Sequence, residues 1–167
     1  MTDVDPVLDQ VAALGIDCEV MPCDPALADT ADFCAAYGID PADSANAILV
    51  AGKPRPDERQ PFALCLVLAT HRLDVNGTVR RRLGARKASF ADADQTRAMT
   101  GMEIGGVTPF GMPKGVPIWI DAAVMARTEV VVGGGSRHRK LRLAPEGLLA
   151  LPGAEVVEDL ARPVDAA

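Results

Sequence analysis

The stretch Gly101-Met102-Glu103-Ile104-Gly105-Gly106-Val107-Thr108-Pro109-Phe110-Gly111 is the most informative in the chain. Three glycines fall within residues 105–111, and the proline among them fixes φ, so the backbone here is tightly shaped and open to close approach. A loop of this kind can aim N–H groups at a ligand, and donors directed at a carbonyl oxygen stabilise the oxyanion formed when water attacks an ester. It can equally be a tight connection between two strands, and spacing alone leaves both readings open. It is not a phosphate cradle: neither GxGxxG nor the P-loop lysine pattern is present.

Working outward from the loop, the C-terminal side reads as a strand at Pro117–Asp121, strand signals at Glu129–Val132 and Lys140–Leu143, a helix opened by Pro145, and a short strand at Glu155–Val157. On the N-terminal side, Asp92 and Gln95 have the spacing of a capping box for a helix ending at Gly101. Before it, Asp74 is placed to cap a helix whose Val75, Val79 and Leu83 share a face, leaving Arg80, Arg81 and Arg82 outward. Phe62–Ala69 is the longest apolar run and the best candidate for a central strand, with Ala45–Ala51 as a second buried strand. Further back come a helix from Asp29 or Thr30 to Gly38, expected to bury Phe33 and Tyr37, a strand at Ile16–Met21, and a first helix at Asp5–Leu14. Helices and strands alternate, so the chain is expected to fold as α/β.

Composition agrees. The 167 residues are 49% hydrophobic but only 4% aromatic, so a core of Val, Leu, Ile and Ala is expected, in one domain spanning 1–167. Met1–Asp5 carry no basic or apolar leader pattern and no apolar run reaches spanning length, which reads as a cytoplasmic protein without a membrane partner. The four cysteines form no CxxC pair, and His71 and His138 stand far apart, so neither disulfide nor metal is expected. A net charge of -6 argues against indiscriminate nucleic-acid binding, and DNA is not expected as a partner. Two basic segments could still dock an RNA backbone: six Lys/Arg against one acid between Arg72 and Lys87, and Arg137-His138-Arg139-Lys140 with Arg142.

The segment Gly105 through Pro109 resembles the Gly-x-x-x-Pro loop of the YbaK/EbsC/ProX family of prolyl-tRNA editing domains, and Thr100-Gly101-Met102-Glu103 resembles the family's approach to it. Other landmarks follow in the family's order: Ile48–Val50, Leu83-Gly84, Arg86-Lys87-Ala88-Ser89-Phe90, Ile118-Trp119-Ile120-Asp121, and Gly133-Gly134-Gly135-Ser136 before Leu141. The resemblance implies a mixed, barrel-like β-sheet surrounded by helices, and a pocket for the 3′ end of an aminoacyl-tRNA. It also implies hydrolysis of a small, wrongly attached amino acid from tRNA for proline, with the substrate's 2′-hydroxyl helping to activate water and prolyl-tRNA synthetase as a partner. No cofactor is implied, and no Ser/His/Asp triad or paired carboxylates stand out in the sequence.

On the same basis Asn46, Gly105, Gly106, Thr108 and Pro109 are expected in catalysis, Val107, Gly111 and Asp121 around the substrate, and Arg80, Arg81 and Lys87 against tRNA. Asp121 would meet the substrate's α-ammonium, although a strand-end Asp also forms turns. Where the family carries a lysine, this chain reads Ser44-Ala45-Asn46-Ala47-Ile48. Asn46 offers a neutral amide, donor and acceptor at once, in place of a mobile charge. That departure leaves a catalytically silent aminoacyl-tRNA-binding module as the alternative. A bulky residue at Gly105 or Gly106 is expected to disturb substrate engagement more than folding.

Overall fold

A run that is apolar on both faces has to lie inside, and residues 62–68 do. The computed structural model describes residues 5–164, so the leader reading at Met1–Val4 and the two ends of the expected 1–167 domain lie outside it. In chain order the elements are α1 (Pro6–Ala13), β1 (Cys18–Pro22), α2 (Thr30–Tyr37), β2 (Ala45–Gly52), β3 (Phe62–Leu68), β4 (His71–Leu73), α3 (Arg80–Leu83) and β5 (Ala88–Phe90). They continue as α4 (Ala93–Thr100), β6 (Ile118–Asp121), α5 (Ala122–Met125), β7 (Val130–Gly133), β8 (Arg139–Leu143), β9 (Ala154–Val157) and β10 (Ala161–Pro163).

A five-stranded sheet runs β5-β2-β3-β6-β9 and is mixed: β2 is antiparallel to β3 and β5, while β6 is parallel to β3 and β9. An antiparallel sheet β1-β8-β7 faces it, and β10 pairs with β4. The two larger sheets touch through a single parallel bridge, Ser44 to Val131. The expected barrel-like arrangement is therefore two sheets wrapped around a shared core without closing into a barrel, since β9 and β1 end their sheets unpaired to each other.

Period-two alternation sorts the side chains. Leu49, Leu64, Leu66 and Ile120 meet Val132 and Leu141 between the sheets, and α1 closes this core with Val7 and Val11. The opposite face of the five-stranded sheet buries Val50, Cys65, Val67 and Trp119 under Val79 and Leu160. A third, smaller cluster of Cys23, Phe33, Cys34 and Val131 sits beneath α2 on the outer face of the three-stranded sheet.

Local details depart from expectation for physical reasons. Tyr37 is exposed rather than buried; it stacks on Phe33 with centroids 4.9 Å apart, and its hydroxyl accepts from Asp24 N at 2.9 Å. The Asp74 helix begins as a π-helical turn, Val75–Val79, because the carboxylate takes the N–H groups of Gly77 and Thr78 at 3.2 and 3.0 Å, and only then becomes α3. Asp92 does cap α4, but Gln95 donates to Gln60 at 3.2 Å instead of closing the box. The segment after Pro145 is 3-10 rather than α. Strands β4, β5 and β10 and helix α5 are short, at three or four residues each, and carry too little periodicity to read.

Candidate active site

Strand β2 has β3 along one edge for its whole length, but two neighbours divide the other edge. Strand β5 takes residues 50–52 and β7 meets it only at Ser44, so the edge from Ala45 to Ile48 is left open. A cavity of about 370 Å³ fills this gap. Its walls are the start of α2 (Asp29, Thr30, Phe33), the open edge with Asn46, the loop residues Ile104, Gly105 and Val107, and the β7–β8 face with Lys140. Phe90, at the end of β5, lines the cavity and is 58% exposed.

The loop that decided the sequence reading is docked on a second glycine run. Gly106 O accepts from Gly135 N at 2.7 Å, and a Cβ at Gly106 would stand 2.6 Å from the Ser136 carbonyl carbon. One at Gly133 would overlap Val107 O. Two backbones thus meet where neither can carry a side chain. Gly105 has φ of 92°, and a Cβ there would overlap the Arg137 guanidinium. The expectation that bulk at residue 106 disturbs ligand more than fold is corrected by this geometry: what stands over Gly106 is the protein's own backbone.

Two cations hold the loop across to the segment before α2. Arg137 donates to Pro25 O at 3.0 Å, Asp29 Oδ1 at 3.0 Å and Ile104 O at 2.7 Å. The ammonium of Lys140 donates to Ala28 O at 2.7 Å and Gly105 O at 2.8 Å, and lies 5.4 Å from the Phe33 ring centroid. Lys140 is only 7% exposed. Burial pulls its pKa below the usual lysine value; Arg137 acts in the same direction, against the opposing pull of Cys23, Asp29 and Cys34.

Asn46 does reach the cavity, and its Oδ1 accepts from the Thr30 hydroxyl at 2.6 Å. Of the expected site residues, Asn46, Gly105 and Val107 come together there. Gly106, Thr108 and Pro109 are buried behind the wall, and Thr108 Oγ1 has no partner among the described residues. Gly111 packs against α1, its N–H donating to Gln10 Oε1 at 2.7 Å. Asp121 is 1% exposed and away from the cavity; its Oδ1 accepts from Ala161 N at 3.2 Å and so ties β10 to the end of β6. The α-ammonium role therefore has no geometry behind it.

Around the tRNA-facing candidates the picture is mixed. The guanidinium of Arg80 is held by Asn76 O at 2.8 Å and Ala85 O at 3.4 Å, whereas Arg81 and Lys87 are exposed. A strand rises about 3.3 Å per residue, so Lys87, one residue before β5, stands roughly 10 Å from Phe90 at the cavity mouth. The second basic segment is spent inside the molecule: besides Arg137 and Lys140, Arg139 forks onto Asp5 at 2.7 and 2.9 Å, and Arg142 lies between Glu19 and Glu129. Its cations are paired within the molecule, which leaves less charge for an RNA backbone than its sequence suggested.

Sequence reasoning missed Thr30, Phe33, Phe90 and Lys140 as cavity residues. Lys140 did carry a signal, since it alternates with Leu141 and Leu143 and so had to face the other side of its strand. That this side was covered by α2 could not be read. Among the described residues no three His, Cys, Asp or Glu side chains converge as metal ligands, and burial pushes the Cys65 thiol up to about 12, leaving it inert at neutral pH.

Residues 24–151 match the aminoacyl-tRNA editing domain, and the chain belongs to that family. It is 29% identical over 75 residues to EbsC of Enterococcus faecalis, provisionally named a Cys-tRNA(Pro)/Cys-tRNA(Cys) deacylase; the match spans 45% of this chain and 46%, about half, of that relative. Among solved structures, hypothetical protein APE2540 superposes with a TM-score of 0.81 at 21% identity, over 95% of this chain and all of the other. A protein provisionally described as a trans-editing enzyme for prolyl-tRNA synthetase gives 0.78 at 24% identity, over 97% of this chain and all of its own. At these identities the structures speak for the mixed α/β editing-domain fold. No helix among the described residues is long and apolar enough to cross a membrane.

Proposed function

We propose that this chain is a trans-acting aminoacyl-tRNA deacylase that hydrolyses a small, wrongly attached amino acid from tRNA, with tRNA for proline as the carrier. The observation that carries the reading is the cavity itself. At about 370 Å³ it falls near the low end of ligand pockets, roughly 300–1,000 Å³. That suits an aminoacyl group and its ribose rather than a folded RNA element. Its lining supplies hydroxyl and amide groups from Thr30, Ser44, Asn46 and Thr96 and one ammonium, over an apolar floor.

Among the described residues no imidazole, thiol or Glu carboxylate lines it, and the one Asp that does, Asp29, is bonded to Arg137. The chemistry in this reading is positioning and electrostatic stabilisation, with the 2′-hydroxyl of the terminal adenosine orienting the attacking water. Editing of this kind answers a physical need, since a synthetase pocket discriminates poorly against amino acids of equal or smaller size. Prolyl-tRNA synthetase, which makes such errors on this tRNA, is the partner the reading implies.

One observation favours a second reading. The Asn46 amide oxygen is already engaged by Thr30, so the neutral group standing at the family's lysine position is turned to the protein. A module that captures the aminoacyl end without turnover would tolerate this. A panel of purified mischarged tRNAs separates the two: hydrolysis above the spontaneous rate, lost when the terminal nucleotide lacks its 2′-hydroxyl, supports the deacylase. Saturable binding with no hydrolysis of any member supports the module.

A further inference from the structure

Among the described residues two charged side chains line the cavity, and they are held differently. Asp29 is bonded to Arg137, while Lys140 has two carbonyl partners and no carboxylate in bonding reach. A nearly buried ammonium satisfied only by neutral groups is costly to desolvate, and here only its bonds to those groups offset the cost. An ammonium has three N–H donors, and two of them are committed. The carbonyls that hold it come from two separate segments, Ala28 just before α2 and Gly105 in the loop, so the charge is fixed rather than mobile.

We propose that Lys140 is the cation this cavity presents to the ester of its ligand, the remaining N–H donating to the carbonyl oxygen that becomes negative as water attacks. This deepens the deacylase reading and rests on it. In the step, the water oxygen bonds to the ester carbon and the carbonyl π pair moves onto the oxygen facing Lys140. The water's proton is relayed to the 3′-oxygen as the tetrahedral species collapses, the carbon–oxygen bond to the ribose breaks, and the amino acid leaves. Lys140 gives up no proton; it stabilises charge. A fixed donor at a developing oxyanion acts most strongly in a site shielded from water. Asn46, neutral and tied to Thr30, is left to orient the ligand, and the charge in the cavity comes from β8 instead of β2.

The arrangement also sets a pH signature. The titratable and charged groups facing Lys140 are Cys23 before α2, Cys34 on α2, Asp29 at its N-cap and Arg137 in the turn before β8. Burial lowers the lysine's pKa, so its charge is lost, and the rate with it, at lower pH than for an exposed lysine.

The test is single-turnover deacylation of a mischarged tRNA by the full chain and by Lys140→Met and Lys140→Arg, from neutral to alkaline pH. Spontaneous hydrolysis is subtracted, and thermal melts and binding of an amide-linked aminoacyl-adenosine run alongside. Lys140→Met is expected to lower the rate on the order of a hundredfold while shifting analogue binding far less. Its alkaline limb should vanish, and because the Ala28 and Gly105 carbonyls lose their donor its melting temperature should fall modestly. Lys140→Arg should recover part of the rate and carry the limb to higher pH. A Lys140→Met protein that keeps both the rate and the limb overturns the proposal. So does a melting temperature that falls while the rate per folded molecule is unchanged. Should that variant not fold, the wild-type profile decides: a rate with no alkaline limb overturns the proposal. If wild type hydrolyses no mischarged tRNA, the deacylase reading falls first; if wild type is active and Lys140→Met equals it, only this inference falls.

Discussion

Asn46 and Gly106 show how a single position reports its surroundings. Asn46→Ala removes the bond to Thr30, a loss on the order of 1 kcal/mol, and should slow turnover roughly tenfold without abolishing it. Asn46→Lys would set a second ammonium into the cavity that Lys140 already occupies. It is expected to lower the melting temperature on its own and to be better tolerated when combined with Lys140→Met, since the pair restores one charge; melts of the single and double variants check this. Gly106→Val drives a branched side chain into the Ser136 backbone and should cost several kcal/mol, seen as a lower urea midpoint before any assay of activity. At this scale the sequence was informative about which residues are unusual and silent about what they face. The spacing of Gly105 to Pro109 marked a constrained loop, but its packing partner, Gly133–Ser136, lies about thirty residues on, and no local pattern encodes that meeting.

At the scale of elements, caps and pairs decide where segments begin. Asp5 caps α1 through Leu8 N at 3.1 Å and also receives the Arg139 fork from β8, so it joins the first helix to the strand carrying Lys140. The Arg139 hydrogen bonds hold the Asp5 carboxyl below the usual carboxylate range, a shift only partly opposed by burial. A depressed folded-state pKa means that the contribution is complete above the ordinary Asp value and disappears as pH falls through the lower folded value. Asp5→Ala should therefore destabilise by about 1 kcal/mol at neutral pH, with the gap to wild type closing in acid, as urea melts at the two pH values would show. Long elements with strong periodicity, α1, β2, β3 and α4, were legible because burial on one or both faces writes itself into the residue pattern. The three-residue strands were not, because partners far along the chain create them: β4 pairs with β10 some ninety residues later.

The whole molecule presents a net charge of -6 to a polyanion, so any RNA path has to be local. With the 137–142 cations engaged internally and Arg80 held by backbone, Arg81 and Lys87 are the exposed cations left among the expected tRNA contacts. Replacing both with Gln is expected to weaken tRNA binding and reduce its salt slope by about one to two, while hydrolysis of a short aminoacyl-adenosine ester changes little. Binding isotherms at several salt concentrations give the slope. An unchanged slope places the path elsewhere. The α/β class could be anticipated from the order of elements along the chain and the mixed sheet from the family resemblance, but the cavity could not, because its walls come from residues 29 to 140 and exist only where the sheets part.

That parting of the sheets bears on self-association as well as on ligands. An unpaired strand edge in solvent is a template on which another chain can add a strand, the usual first step toward aggregation. Here the unpaired run on β2 is four residues long and recessed behind Phe90 and the glycine loop. A small molecule can enter the notch, but an extended peptide cannot find enough register in it to dock. Widening the mouth by trimming Phe90 or loosening the loop would thus be expected to show first as oligomers in light scattering.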